Sequence, residues 1–266
     1  MAKASIVGPR VLFYDLETSF NIVAAFQLWD RGGNSIPHQN VITERYIICA
    51  CWKWLGEDKI HSVSVTDSPA RYKKNPYDDR YVVETLHKVL SEADVVVAHY
   101  GDGFDNKYVR TRALFHGLSP IPPFASVDTK KVASSQFLFN SNRLDYLGRF
   151  LGVGRKIQTK PDLWMDVLRG DQKAVKEMVH YNKGDVILLE KVFLKLRPFM
   201  PDHVNRQLYG GRPYECPRCG STHIQSRGVH RAISRTYQRW QCQDQRCGGW
   251  FRTAKSEKGT VTHRNL

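Results

Sequence analysis

Three short stretches carry acids in settings where acids do chemistry. In Phe13-Tyr14-Asp15-Leu16-Glu17-Thr18, two carboxylates stand two residues apart inside an apolar run. Side chains at i and i+2 share one face of a strand, so Asp15 and Glu17 project together. Adjacent carboxylates repel until a cation neutralises them. The pair therefore fits a divalent-metal site, and it also fits a solvent-facing strand with two solvated acids. In His99-Tyr100-Gly101-Asp102-Gly103-Phe104-Asp105, an apolar run hands over to a helical pattern. Asp105 at that junction either ligates a metal or caps the helix. In Tyr181-Asn182-Lys183-Gly184-Asp185, residues i and i+4 share a helix face, which aligns Tyr181 with Asp185.

A second chemistry is written in cysteines. Cys216-Pro217-Arg218-Cys219 and Cys242-Gln243-Asp244-Gln245-Arg246-Cys247 form two close pairs in the last fifth of the chain. Four thiolates at this spacing suit one tetrahedral structural Zn²⁺, and a module this short has too little apolar core to fold without it. Disulfides and a His223 or His230 ligand are the weaker alternatives. Cys49 and Cys51 have no companion ligand and are expected in the core.

These residues need elements to hold them. Strands are expected at 11–18, 46–54, 60–65, 94–99 and 125–128. Helices are expected at 79–90, 105–116 and 131–136. A further helix runs through Leu144, Leu147 and Leu151, N-capped by Ser141-Asn142. A long helical segment covers 171–196 with a break near Gly184. Three leading strands followed by alternating helices and strands describe an α/β layer fold. Residues 222–225 and 235–241 read as a hairpin between the cysteine pairs. Gly210, Gly211 and Pro213 mark a boundary.

Taken together and in order, YDLET, HYGDGFD and YNKGDV resemble the motifs of the DEDD, or DnaQ-like, 3′–5′ exonucleases, over roughly residues 10–197. The Tyr four residues before the last Asp is similar to the DEDDy branch. Leu144-Asp145-Tyr146-Leu147 resembles the family helix between the second and third motifs, and Asp128 stands where many members carry an Asp-Thr pair, a structural position. The resemblance implies a ribonuclease H-like mixed sheet flanked by helices over residues 1–200; the cysteine pairs with the hairpin between them resemble a zinc ribbon, expected with a basic tail at 214–266 after a linker at 201–213. The exonuclease resemblance implies two Mg²⁺ or Mn²⁺ held by Asp15, Glu17, Asp105 and Asp185, with Tyr181 orienting the attacking water. Asp15 would bridge both metals. Tyr100 and Gly101 depart from the family, many of whose members carry Asn there, which leaves substrate contacts at this motif open. Endonuclease or RNase action on the same fold, or an inert nucleic-acid-binding scaffold, are the alternatives; the presence of all four acids argues against inertness.

The charge points to the partner. The formal net charge is +14, and residues 210–266 hold 11 Lys+Arg against 3 Asp+Glu. Such a balance suits a polyanion, with DNA expected ahead of RNA and replication or repair proteins as companions. Arg227, Arg231, Arg235, Arg239 and Trp240 are expected to touch nucleic acid, and Phe104 either stacks on a terminal base or packs inside. No stretch of about 18 apolar residues is present to span a membrane. The opening MAKASIVGPR lacks an apolar signal core, so a cytoplasmic protein is expected.

Overall fold

The apolar run that begins at Val11 becomes the middle of a sheet. A computed structural model describes residues 8–25, 36–200, 204–210, 214–232 and 235–253. In chain order the strands and helices are β1 (Val11–Thr18), β2 (Ile22–Val23), β3 (Val41–Thr43), β4 (Ile47–Trp54), β5 (His61–Ser64), α1 (Pro69–Lys74), α2 (Arg80–Ser91) and β6 (Val95–Ala98). They continue as α3 (Asp105–Phe115), β7 (Ala125–Asp128), α4 (Thr129–Gln136), α5 (Leu144–Phe150), α6 (Leu163–Leu168) and α7 (Gln172–Leu196). The cysteine module adds β8 (Ile224–Arg231), β9 (Thr236–Cys242) and β10 (Trp250–Arg252).

The main sheet has the order β5-β4-β1-β6-β7. β4 runs antiparallel to both β1 and β5, whereas β6 and β7 run parallel to β1 and to each other. This is a mixed α/β sheet flanked by helices. Strand alternation splits β1 between two cores. Leu12, Tyr14 and Leu16 face the core built with α2 and α3. Val11 and Phe13 face the core built with α5 and α7, where Phe13 meets Phe193 edge-to-face at 5.3 Å. Truncating a ring so enclosed costs about 3–5 kcal/mol. Asp15 and Glu17 continue this second row, so the apolar row turns acidic under α7.

α7 starts at Asp171, whose side chain accepts from the Lys173 amide. The helix runs unbroken through Gly184, so the expected break is absent. Gly in a helix costs about 1 kcal/mol relative to Ala. Here the missing side chain admits a neighbour: a Cβ at Gly184 would lie 2.6 Å from Ile157 Cδ1. The expected Ser141-Asn142 cap is also displaced. Arg143 takes the N-cap position of α5 without a side-chain bond, and Ser141 Oγ accepts from the Arg143 amide.

Buried Asp79, ahead of α2, collects donors from three residues in two parts of the chain. It accepts from the Ile47 amide (2.9 Å), from Arg112 Nε and Nη2 (2.7 and 2.6 Å) and from His116 Nε2 (2.6 Å). This joins β4 to the last turn of α3.

The cysteine module folds as a three-stranded antiparallel sheet, β8-β9-β10. Arg218 Nη1 donates to the carbonyls of Arg197 and Pro198 at 2.6 and 3.0 Å, which docks the module on the end of α7. A short 3-10 turn at Arg206–Tyr209 lies between them, with the Arg206 amide bonded to the Pro217 carbonyl.

Candidate active site

Asp15 and Glu17 reach the site from β1 and Asp185 from α7. Each of the three offers an oxygen within 4.8 Å of the others. Asp15 and Glu17 are partly exposed and Asp185 is buried, so the cluster opens to solvent on one side. Asp105 stands outside this group of three, at the first residue of α3. The backbone of Asp105 itself and that of Leu16 in β1 favour its ionised form, against the burial that opposes it. Of the neighbouring charges, Asp105 acts most strongly on Asp15.

The electrostatics follow from crowding. Burial and then Asp105, Glu17 and Asp185 push the Asp15 carboxyl well above the usual carboxylate range. Burial and Asp185 push Glu17 up to about 8, and burial pushes Asp105 up to about 7. Acids held this way have no route to full ionisation without added positive charge.

One source of positive charge is Lys156, from the loop after α5. Its ammonium lies 2.8 Å from Asp185 Oδ2 and donates to the Tyr181 hydroxyl at 2.8 Å. Burial opposes the charge, but Asp185 and Tyr181 hold the ammonium protonated, its pKa raised. The loop is seated by the Lys156 amide on Asp145 Oδ1 at 3.0 Å and by Ile157 over Gly184. A single ammonium does not neutralise four carboxylates, so the donor set retains room and charge for divalent cations, whose preferred ligands are carboxylate oxygens.

Tyr181 is half-buried. Burial and Asp185 push its phenol up to about 12, so it keeps its proton at neutral pH. Trp164 packs edge-on against its ring at 6.2 Å and anchors its own indole on the Thr18 carbonyl. Asn182 Nδ2 donates to Asp15 Oδ2 at 2.6 Å.

Sequence reasoning did not single out Lys156, Asn182 or Trp164 for roles here. Asn182 falls inside the Tyr181–Asp185 motif, three residues before Asp185, and that spacing was the available signal. Lys156 lies in a polar loop without periodicity, where only the folded chain brings it to Asp185. Phe104 is partly buried and stacked on Tyr108 at 5.6 Å, beneath Arg45. Asp128 caps α4 and also accepts from the Tyr100 and Asp102 amides. Cys49 and Cys51 are buried in β4, with Cys49 driven well up by burial. A third acidic group, Asp78, Asp79 and His116, lies close together, but Arg112 already occupies both Asp79 oxygens.

The four module cysteines also converge, each offering a sulfur within 4.8 Å of the others. All are free thiols. The Cys216–Cys247 and Cys219–Cys242 sulfurs are 3.8 and 3.6 Å apart. A tetrahedral Zn²⁺ with Zn–S bonds of about 2.3 Å separates its sulfurs by about 3.8 Å. The donor set thus fits a tetrahedral thiolate metal, and His223 and His230 lie outside it. Arg227, Arg231, Arg235 and Arg239 are exposed. Arg239 and Trp240 are neighbours on β9 and therefore take opposite faces. Arg239 lies over Trp250 at 5.1 Å and Arg252 over Tyr237 at 3.9 Å.

A mixed five-stranded sheet with acids at the end of its central strand defines a ribonuclease H-like protein. A family model described as the RNase_H superfamily matches residues 55–197, more than half of the chain, and the chain belongs to that superfamily. Among solved structures it is similar to the family B DNA polymerase from the hyperthermophilic archaeon Pyrobaculum calidifontis, with a TM-score of 0.52 and 18% identity. The match covers 76% of this chain and 26% of the polymerase, so the chain spans about a quarter of that protein's length. That likeness is one of fold. No curated protein sequence matches the chain. Among the described residues, no helix is long and apolar enough to cross a membrane.

Proposed function

We propose that the chain is a two-metal 3′–5′ exonuclease of the DEDDy type, acting on nucleic-acid ends, DNA ahead of RNA. The observation that carries this reading is the convergence of Asp15, Glu17 and Asp185 beneath Tyr181, with Asp105 alongside. Two Mg²⁺ or Mn²⁺ ions, when bound, supply an activated water and a stabilised leaving oxygen. Asp15, Glu17 and Asp185, with Asp105 at the start of α3, would hold the cations. Tyr181 keeps its proton and orients the water by hydrogen bonding, rather than acting as a base. Asn182 fixes the Asp15 carboxylate, and Lys156 fixes Tyr181 and Asp185. The four cysteines hold one structural Zn²⁺, and the basic module helps to retain the nucleic acid, with replication or repair proteins as companions.

The test is degradation of end-labelled single- and double-stranded DNA and RNA, with and without Mn²⁺. Metal-dependent shortening from the 3′ end is expected. Internal cuts, or label lost only from the 5′ end, would refute the reading.

A further inference from the structure

Five aromatic rings form an unbroken ladder across the surface beside the end of α7. From Tyr146 it passes to Phe150 at 5.9 Å, to Phe139 at 5.2 Å, to Phe137 at 5.1 Å and to Phe199 at 5.4 Å between centroids. Sealing the core does not require all of these rings. Phe150 and Phe199 are 63% and 61% exposed, and Leu138 between Phe137 and Phe139 is fully exposed. A contiguous exposed patch of this kind marks a contact surface.

Phe199, the last ring, lines a groove of about 980 Å³ between the end of α7 and the cysteine module. Two exposed lysines, Lys191 and Lys195, line the same groove. Its two acids are already engaged, Glu190 by Lys53 and Asp244 by Arg246. An apolar protein segment would satisfy the rings and leave the two lysines unanswered. A duplex would answer the cations and hide its base faces. A single strand satisfies both, because bases stack on the rings while phosphates follow the cations.

We infer that the ladder and groove form a track for single-stranded nucleic acid, separate from the acids that would cut it. This rests on the reading that the polymer at the acids is nucleic acid. Asp185 and Leu196 both lie on α7, about 16 Å apart along its axis. At about 3.4 Å per nucleotide of a helical strand, a chain needs roughly five nucleotides to span from the acids to Phe199.

The experiment is equilibrium binding of dye-labelled single-stranded DNA, about 4 or 12 nucleotides long, to the full chain carrying Asp15→Asn to prevent hydrolysis. In that background, Phe150→Ala with Phe199→Ala should weaken the 12-mer about 10- to 100-fold, the scale of losing stacking for one or two bases. The 4-mer should be unaffected. Phe150→Tyr with Phe199→Tyr should restore 12-mer affinity to within about twofold, since every aromatic ring offers a π-face. Lys191→Glu with Lys195→Glu should flatten the salt dependence of 12-mer binding by about two counterions. A 12-mer that binds equally to the alanine variant would overturn the track and leave the ladder as a protein-docking face. If the unsubstituted background binds neither oligomer, nor RNA of either length, the nucleic-acid reading itself fails.

Discussion

The acids at the end of β1 rest on a five-stranded sheet with a core on each face, whereas the cysteines of the last module are most of the core they rest on. Beside them the module buries little more than Ile224 and Phe251, and those only partly. The contrast separates two uses of a metal. In the cysteine module a metal would be the reason for folding, since so little apolar surface is available otherwise. At the acids the fold exists first and holds like charges together against their repulsion. A cation there would relieve a strain that the scaffold already sustains.

The largest expected effect tests the module. Cys216→Ser with Cys242→Ser should unfold residues 214–253, because structural zinc contributes on the order of 10–16 kcal/mol in small modules. Trypsin should then cut in the Arg227–Arg252 region while the rest keeps its thermal transition. A core that melts with the module would break the contrast. Next is Asp15→Ala, expected to lower hydrolysis by on the order of 10³-fold or more. The raised carboxyl means that ionised Asp15 disfavours the metal-free fold, so the variant's metal-free thermal midpoint at pH 8 should equal or exceed the parent's. A lower midpoint would show that the acid supports the scaffold.

A third measurement concerns a partly buried histidine at the end of β6. Burial lowers His99 to about 4, and its Nδ1 meets Thr129 Oγ1 at 2.9 Å. Below about 6.5 the unfolded chain takes a proton that the native chain refuses, so stability is lost as pH falls from about 6.5 to 4, by about 3 kcal/mol. Urea unfolding at pH 4.5 and 7 should show this loss in the parent and much less of it in His99→Asn. The smallest expected effect is that of Tyr181→Phe, a fall in kcat of about a hundredfold with metal affinity retained. Parent-like turnover would remove Tyr181 from the reaction and leave it as packing for Trp164.

β1 was legible to the residue, because an apolar run leaves little freedom for a strand, and the short β7 also kept its expected bounds. The helix expected at 105–116 came within one residue, ending at Phe115, since Gly117 closes it. The uncapped start of α5 and the continuity of α7 were not, because each depends on a distant part of the chain. Gly184 reads locally as a breaker, and only Ile157 explains it. The same holds at the site. Asp15 and Glu17 announce themselves by standing in an apolar run, and their neighbour Asp185 by its spacing from Tyr181. Lys156 has neither signal, since its role comes from a loop that Asp145 and Ile157 press against α7.

Asp79 lies far from any reacting atom and yet holds one end of the lever that carries Asp105. Four donors moor it to β4 and to the tail of α3, and Asp105 sits at the head of that same helix. A helix pinned at its tail pivots little at its head. The aim of one acid is thereby trimmed from about two turns away, by a carboxylate outside the acidic cluster.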